Sequence, residues 1–341
     1  MAEENMQKYY DQLDQATTLL KKSLGTSYID ALAENLTNIA DGQVYVENGA
    51  PDEDTVTKLT KIYDELKELH LTQAQLKQAI TVNIIKDQKV DNSEVNKLMT
   101  PDMIGLIASL IAFEILNSEG KKQLNIIDPT VGTGNFLIEF IQQLQQAGDF
   151  KINSAAIDND DSLLGLSKAF SEVMNINLDA YHQDGISEWE VTDIDMAIAD
   201  LPVGYYPIDE NAAKFKTKSD DGHSYAHHLL IEQTMSNLND GGVGIFIVPS
   251  QIFQTDQAKK LSEWMVSSVY LQAVLDLPSN LFASKEAQKA VVVLQKHGGN
   301  SKQADNVLMG TIPDTNEPKL FEGFKDQLQE WARNNFKGLG E

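Results

Sequence analysis

The chain has no cysteine in its 341 residues, which excludes disulfides and thiolate-held metal and suits a cytoplasmic, reducing setting. It has no run of 18 apolar residues, so no helix is expected to span a bilayer. The opening Met1-Ala2-Glu3-Glu4 lacks the apolar core that directs export. Cations are scarce: 27 Lys and Arg stand against 51 Asp and Glu, a net charge of −24. Affinity for nucleic acid depends on cations that neutralise phosphates, so tight, unaided binding to a duplex is not expected.

The rest of the composition suits a folded protein. Hydrophobic residues make up 42% of a chain longer than one typical domain. Residues 1–95 show helical periodicity over Tyr9 to Leu24, Tyr28 to Ala40, Asp54 to Leu69 and Thr72 to Ile85. They are expected to form an N-terminal helical domain. Residues 96–299 alternate apolar strands with helices and are expected to form the main α/β domain. Residues 300–341 are expected to be a C-terminal extension with an amphipathic helix carrying Leu320, Phe321, Phe324, Leu328, Trp331 and Phe336.

The most informative segment is Asp128-Pro129-Thr130-Val131-Gly132-Thr133-Gly134-Asn135-Phe136. It follows an apolar run (Leu124, Ile126, Ile127) that reads as a buried strand, and it leads into a helical stretch, Leu137 to Ile141. Glycine is needed where backbone must approach a ligand closely or adopt positive φ. A carboxylate at the strand end suits a ligand bearing ammonium or hydroxyl groups better than one bearing only phosphates. Together these features point to S-adenosylmethionine (SAM). A second strand, Ala155-Ala156-Ile157-Asp158, ends in an acid 26 residues beyond Gly132. That is somewhat beyond the separation of about 20 usual for a ribose-binding carboxylate.

The nine-residue string resembles the D-P-x-x-G-x-G-x-F motif of class I SAM-dependent methyltransferases. It is most similar to the amino-methylating branch, which includes adenine-N6 DNA methyltransferases and the modification subunits of type I restriction systems. The resemblance implies a Rossmann-like fold with a seven-stranded, mostly parallel sheet. It also implies SAM contacts for Asp128, Pro129, Thr130, Gly132, Gly134, Asn135 and Phe136. Upstream, Met99-Thr100-Pro101-Asp102 reads as a helix start with Thr100 as N-cap and Pro101 at the first helical position. In the family a Thr-Pro here lies beside the methionine carboxylate, and a helix N-terminus suits an anion. Asp158 is then expected on the ribose hydroxyls. Asp184, in Tyr181-His182-Gln183-Asp184-Gly185, is expected on the adenine amino group; an ordinary Asp-Gly turn is the alternative.

A further strand, Ile194 to Ala199, runs into Asp200-Leu201-Pro202-Val203-Gly204-Tyr205-Tyr206-Pro207. The related enzymes carry Asn/Asp/Ser-Pro-Pro-Tyr/Phe at this place. An exocyclic or amide nitrogen is a poor nucleophile because its lone pair is delocalised. Accepting hydrogen bonds from both its N–H groups favours localisation, and an aromatic ring stacks on the planar group. Asp200 and the Leu201 carbonyl are the expected acceptors, with Pro202 shaping the turn. Leu201 departs from the motif's first Pro, and Val203 stands where the ring belongs. Tyr205 and Tyr206 are the rings available in the same loop.

The passages Val274 to Phe282 and Ala290 to Lys296 resemble the closing strands of type I modification subunits. The polar stretch 204–223 reads as a lid, and Lys214, Lys216 and Lys218 within it as a solvated face. His223, His227 and His228 read as helix-start and packing residues, and no metal site is expected. The reaction implied by the resemblance is methyl transfer to a planar nitrogen, with adenine N6 in DNA leading. Protein glutamine and RNA guanine N2 are alternatives, as is a SAM-binding partner protein with impaired catalysis. The expected partners are SAM and DNA, with a partner subunit supplying specificity.

Overall fold

A computed structural model of the chain describes residues 2–90 and 98–336. The elements run α1 (Ala2–Leu24), α2 (Tyr28–Asp41), α3 (Glu53–Lys67), α4 (Gln73–Val90), α5 (Asp102–Glu119), β1 (Gln123–Asp128), α6 (Asn135–Ala147) and β2 (Lys151–Asp158). They continue with α7 (Asp161–Val173), β3 (Leu178–His182), β4 (Ile194–Asp200), α8 (Asp209–Ala212), α9 (Ala226–Asn237) and β5 (Leu238–Pro249). The last are α10 (Ala258–Ser268), β6 (Val269–Asp276), β7 (Lys289–Lys296), β8 (Leu308–Thr311) and α11 (Pro318–Phe336).

The chain divides into two compact units. The first comprises residues 1–100, 131–138 and 158–182. Here α1 packs on α2, α3 and α4, and α2 packs on α7. The ends of α2 follow from its sequence: the Ser27 hydroxyl accepts the Asp30 N–H at 3.1 Å, and Gly42 closes the helix at φ 72°. Asp52 starts α3 in the same way, accepting from the Thr55 N–H at 2.8 Å. Leu13, Leu20, Leu32, Leu36 and Leu59 are fully buried. Among them the Tyr28 hydroxyl meets Asp14 and Asn83 at 2.8 Å.

The second unit comprises residues 101–130, 139–157 and 183–341. The sheet has eight strands, not seven, in the order β3-β2-β1-β4-β5-β7-β6-β8. The additional strand, β8, is four residues long and pairs parallel with β6 (Ala273 beside Leu308 through Asp276 beside Thr311). Strand β7 runs antiparallel to both its neighbours, β5 and β6. Strands β1, β4 and β5 carry near-continuous apolar runs, the pattern of parallel strands covered on both faces. Asn239 to Gly242 form an irregularity within β5. Leu238 pairs with Ile194, and the next paired residue, Val243, faces Met196. Helix α11 packs against α5 through a face containing Phe324, Leu328, Trp331 and Ala332.

Candidate functional site

Strands β1, β2 and β4 each end in an aspartate: Asp128, Asp158 and Asp200. In the second unit β1 and β4 run parallel and adjacent, and parallel neighbours leave a sheet at the same edge, so topology alone brings Asp128 and Asp200 together. This is where ligands bind in open α/β sheets.

The turn after β1 is shaped by its own acid. Asp128 is buried, and its Oδ1 accepts the Thr130 N–H at 3.0 Å. Gly132 and Gly134 both have positive φ, 52° and 81°, yet they serve different ends. A Cβ on Gly132 would meet no atom within 4 Å, so its backbone borders open space. A Cβ on Gly134 would lie 2.8 Å from the Ser167 Cβ and 3.0 Å from its Cα. Gly134 therefore lets α7 approach, while Gly132 leaves room for a ligand. The Gly132 N–H is donated to Asp158 Oδ2 at 2.8 Å, and Asp158 Oδ1 accepts the Asp160 N–H at 2.9 Å. Burial pushes the Asp158 carboxyl above the usual carboxylate range, against the opposing effect of those two donors. The bracket holds the glycine turn and presents a carboxylate beside it.

Asn135 and Phe136 are both buried, at 1% and 3% exposure. Asn135 Nδ2 donates to the Thr100 carbonyl at 2.8 Å, and the Phe136 ring is part of the core. Pro129 is also buried, and its carbonyl lies where a Cβ on Gly185 would clash at 2.8 Å. Thr130 and Gly132 are the partly exposed members of the nine-residue string. Thr100 is not the cap of α5. That place falls to Pro101 at φ −61°, ψ 143°, with no side-chain hydrogen bond, and the Pro101 carbonyl opens the first turn by accepting the Ile104 N–H at 3.0 Å.

Asp184 is engaged within the protein. Its Oδ2 accepts from the Tyr206 hydroxyl at 2.5 Å and its Oδ1 from the Ile186 N–H at 3.1 Å. Tyr206 is 8% exposed, and burial, then the bond to Asp184, pushes its phenol up to about 12.

Asp200 is joined by a residue that no local motif singles out. Lys289 Nζ, on the first residue of β7, lies 2.5 Å from Asp200 Oδ1, and the two side chains are only 23% and 16% exposed. The Thr130 hydroxyl also reaches the Asp200 carbonyl at 3.5 Å. The Leu201 N–H is donated to the Ile247 carbonyl at 3.0 Å and its side chain is buried, which fixes the turn as a continuation of β4. Val203 is 44% exposed and Tyr205 57%.

His227 and His228 follow in α9, and both are buried. Burial pushes their imidazoles down to about 4 and about 3, so both are neutral at pH 7. The Pro202 carbonyl is close enough to favour the charged form of His227, but no hydrogen bond of good geometry forms to either ring. No cluster of three or more His, Cys, Asp or Glu suited to a metal occurs among the described residues.

The stretch 204–223, expected as a lid, is tied down. Glu232 accepts the N–H groups of Lys216 and Thr217 at 3.0 and 2.8 Å, and Phe215 and Thr217 are buried. Lys214, Lys216 and Lys218 alternate with these buried residues and are exposed. A cavity of about 370 Å³ lies among Leu106, Phe113, Glu114, Gln143 and Gln329 and shares no residue with the strand-end acids.

Residues 84–334 match the N-6 DNA methylase family, and residues 7–87 match the YtxK N-terminal helical domain. The uncharacterized protein YtxK of Bacillus subtilis (strain 168) is 33% identical over 338 residues, 98% of this chain and 99% of its own length. A Listeria monocytogenes protein described as a class I SAM-dependent methyltransferase is 30% identical. It superposes with a TM-score of 0.86 over 97% of this chain and 100% of that one. The methyltransferase subunit of a Streptococcus thermophilus type I restriction-modification system shares the fold alone, at 16% identity. Its TM-score is 0.61 over 93% of this chain and 74% of that one.

Proposed function

Since this chain belongs to the N-6 DNA methylase family, we propose that it transfers the methyl group of SAM to the N6 amino group of adenine in DNA. SAM is the cofactor of the family and supplies an activated methyl on a sulfonium. The residues present suit it. Gly132 keeps its backbone open, and Asp158 offers a buried carboxylate to hydroxyls. The observation that carries the reading is the open glycine turn, whose Gly132 N–H is held by the strand-end carboxylate of Asp158.

In this reading Asp128 and the turn it shapes, with Thr130, Gly132 and Asp158, bind the cofactor. Thr100 and the start of α5 suit its methionine carboxylate. Asp184 orients adenine only by sharing its carboxylate with Tyr206. Asp200 and the Leu201 carbonyl accept from the two N–H groups of the acceptor, and Pro202 holds that carbonyl in place. Bound there, SAM would supply the methyl: the nitrogen lone pair would take it, the carbon–sulfur electron pair would return to sulfur to leave S-adenosylhomocysteine, and the surplus N–H proton would pass to water. Preorganised acceptors are worth most where charge develops in the transition state.

The net charge of −24 favours a division of labour, in which a partner subunit provides the cationic surface for DNA. Residues 1–95 suit a helical module of their own, residues 96–299 the methyl-transfer domain and residues 300–341 its C-terminal extension. The test is transfer of labelled methyl from SAM to unmethylated DNA, with RNA and protein in parallel. N6-methyladenine in the DNA is the expected product. Label confined to RNA or protein, or absent from DNA when the chain is assayed together with its copurifying partners, would overturn the assignment.

A further inference from the structure

The acceptor segment has no ring at Val203, yet rings gather just beyond it. Tyr205 and Tyr225 stack with centroids 4.8 Å apart and planes 13° from parallel. Tyr225 lies on His227 at 5.2 Å and 30°, and His228 meets His227 edge-on at 4.8 Å. The column runs from inside to outside, with His227 3% exposed and Tyr205 57%. Its outer end is held by backbone. Tyr205 and Tyr225 form a bridge, the Gly204 carbonyl accepts the Ala226 N–H at 3.0 Å, and the Ser224 carbonyl accepts the Tyr206 N–H at 2.8 Å. Gly204, at φ 127°, makes the turn that a side chain would resist. Tyr206 is committed elsewhere, to Asp184.

A ring held parallel to a second ring, on a residue that is itself exposed, is a stacking surface whose ordering cost is already met. Tyr205 follows Asp200 by five residues, which extend at most about 17 Å, so the ring lies within that reach of the strand-end acid. We propose that Tyr205, braced by Tyr225, is the surface on which the acceptor's planar base stacks, supplying two positions later the ring missing at Val203. The inference rests on the methyltransferase reading and narrows it. A stacking platform of this kind suits a heteroaromatic base, whereas an aliphatic carboxamide has no ring to lay on it.

The probe is 2-aminopurine deoxyriboside, a fluorescent adenosine analogue whose emission is quenched on stacking and which carries no phosphate for the acidic chain to repel. It is titrated into wild type, Tyr205→Phe and Tyr205→Ala, each saturated with S-adenosylhomocysteine. Saturable quenching is expected for wild type and Tyr205→Phe. Tyr205→Ala should bind between about 5-fold and about 150-fold more weakly, the range that one stacked ring supplies. No quenching by wild type, or equal affinity in Tyr205→Ala, would overturn the proposal. Thermal stabilisation by S-adenosylhomocysteine is read on the same samples and judges the cofactor site separately. Its absence beside intact quenching would sink the methyltransferase reading and leave the platform standing.

Discussion

Replacing Lys289 with Met removes the cation 2.5 Å from Asp200 and leaves a carboxylate in surroundings where the two side chains are 23% and 16% exposed. Breaking a fully buried pair from one side costs about 3–5 kcal/mol, and an exposed pair contributes less than about 1 kcal/mol. With roughly four-fifths of each side chain covered, a loss of about 2–3 kcal/mol is expected, scaled between those limits. Unfolding entropy near 2.1 cal/mol/K per residue gives about 0.7 kcal/mol/K for a chain of this length, so the melting temperature should fall by about 3–4 °C. Asp200→Asn strands the ammonium and should cost a similar amount. The double variant Asp200→Asn/Lys289→Met carries neither charge and should lose clearly less than the sum. The assay is urea unfolding followed by tryptophan fluorescence across the four proteins, read as a double-mutant cycle. Strict additivity, or a Lys289→Met protein as stable as wild type, would refute the claim that the pair is desolvated and coupled.

The two glycines of the turn should separate under the same substitution. Gly134→Ala meets the Ser167 backbone at 3.0 Å as well as a positive φ, and should lose about 2–4 kcal/mol from strain and overpacking. Gly132→Ala meets open space and should lose only about 1–2 kcal/mol while losing SAM binding; urea unfolding and ligand titration decide both. S-Adenosylhomocysteine at a hundred times its dissociation constant should stabilise wild type by about 2.7 kcal/mol, and calorimetry showing no shift at millimolar ligand would remove the cofactor site. His228 is neutral when folded, because burial lowers its pKa to about 3 from the 6.5 of a free imidazole. The unfolded chain therefore binds the extra proton, and the His228 contribution is present above pH 6.5 and lost as pH falls toward 3. Comparing wild type with His228→Leu should show a stability difference that changes by up to about 1.4 kcal/mol per pH unit in that window. A pH-independent difference would show that the imidazole is not buried neutral. Glu119, whose pKa is raised to about 7 by burial, acts in the opposite sense in both proteins and cancels.

Much of the architecture was legible because it is written in local patterns. The four N-terminal helices and strands β1, β2, β4, β6 and β7 are long apolar or periodic runs bounded by Gly, Asp, Ser or Pro. Strand β8 was not, since it has four residues, includes Gly310 and leaves Met309 71% exposed. Its strand character comes from pairing with β6 rather than from its own sequence. The same distinction holds at the site. The Asp128 turn and Asp158 fall within recognisable strings. Lys289 reaches Asp200 across 89 residues because β7 is inserted antiparallel beside β5, a register that no local spacing encodes. Asp184 could be read as a ligand contact from its motif, but its engagement by Tyr206 needed the fold of the intervening loop.

The tail beyond residue 299 finishes the sheet instead of trailing from it. β8 covers the open side of β6, and α11 shields the flank of α5 with Phe324, Leu328 and Trp331. A protein cut back to the segment that carries every methyltransferase motif would bare a greasy helix face and an unpaired strand edge together. That is the recipe for a sticky particle. Anyone preparing a minimal catalytic fragment should therefore keep the last helix.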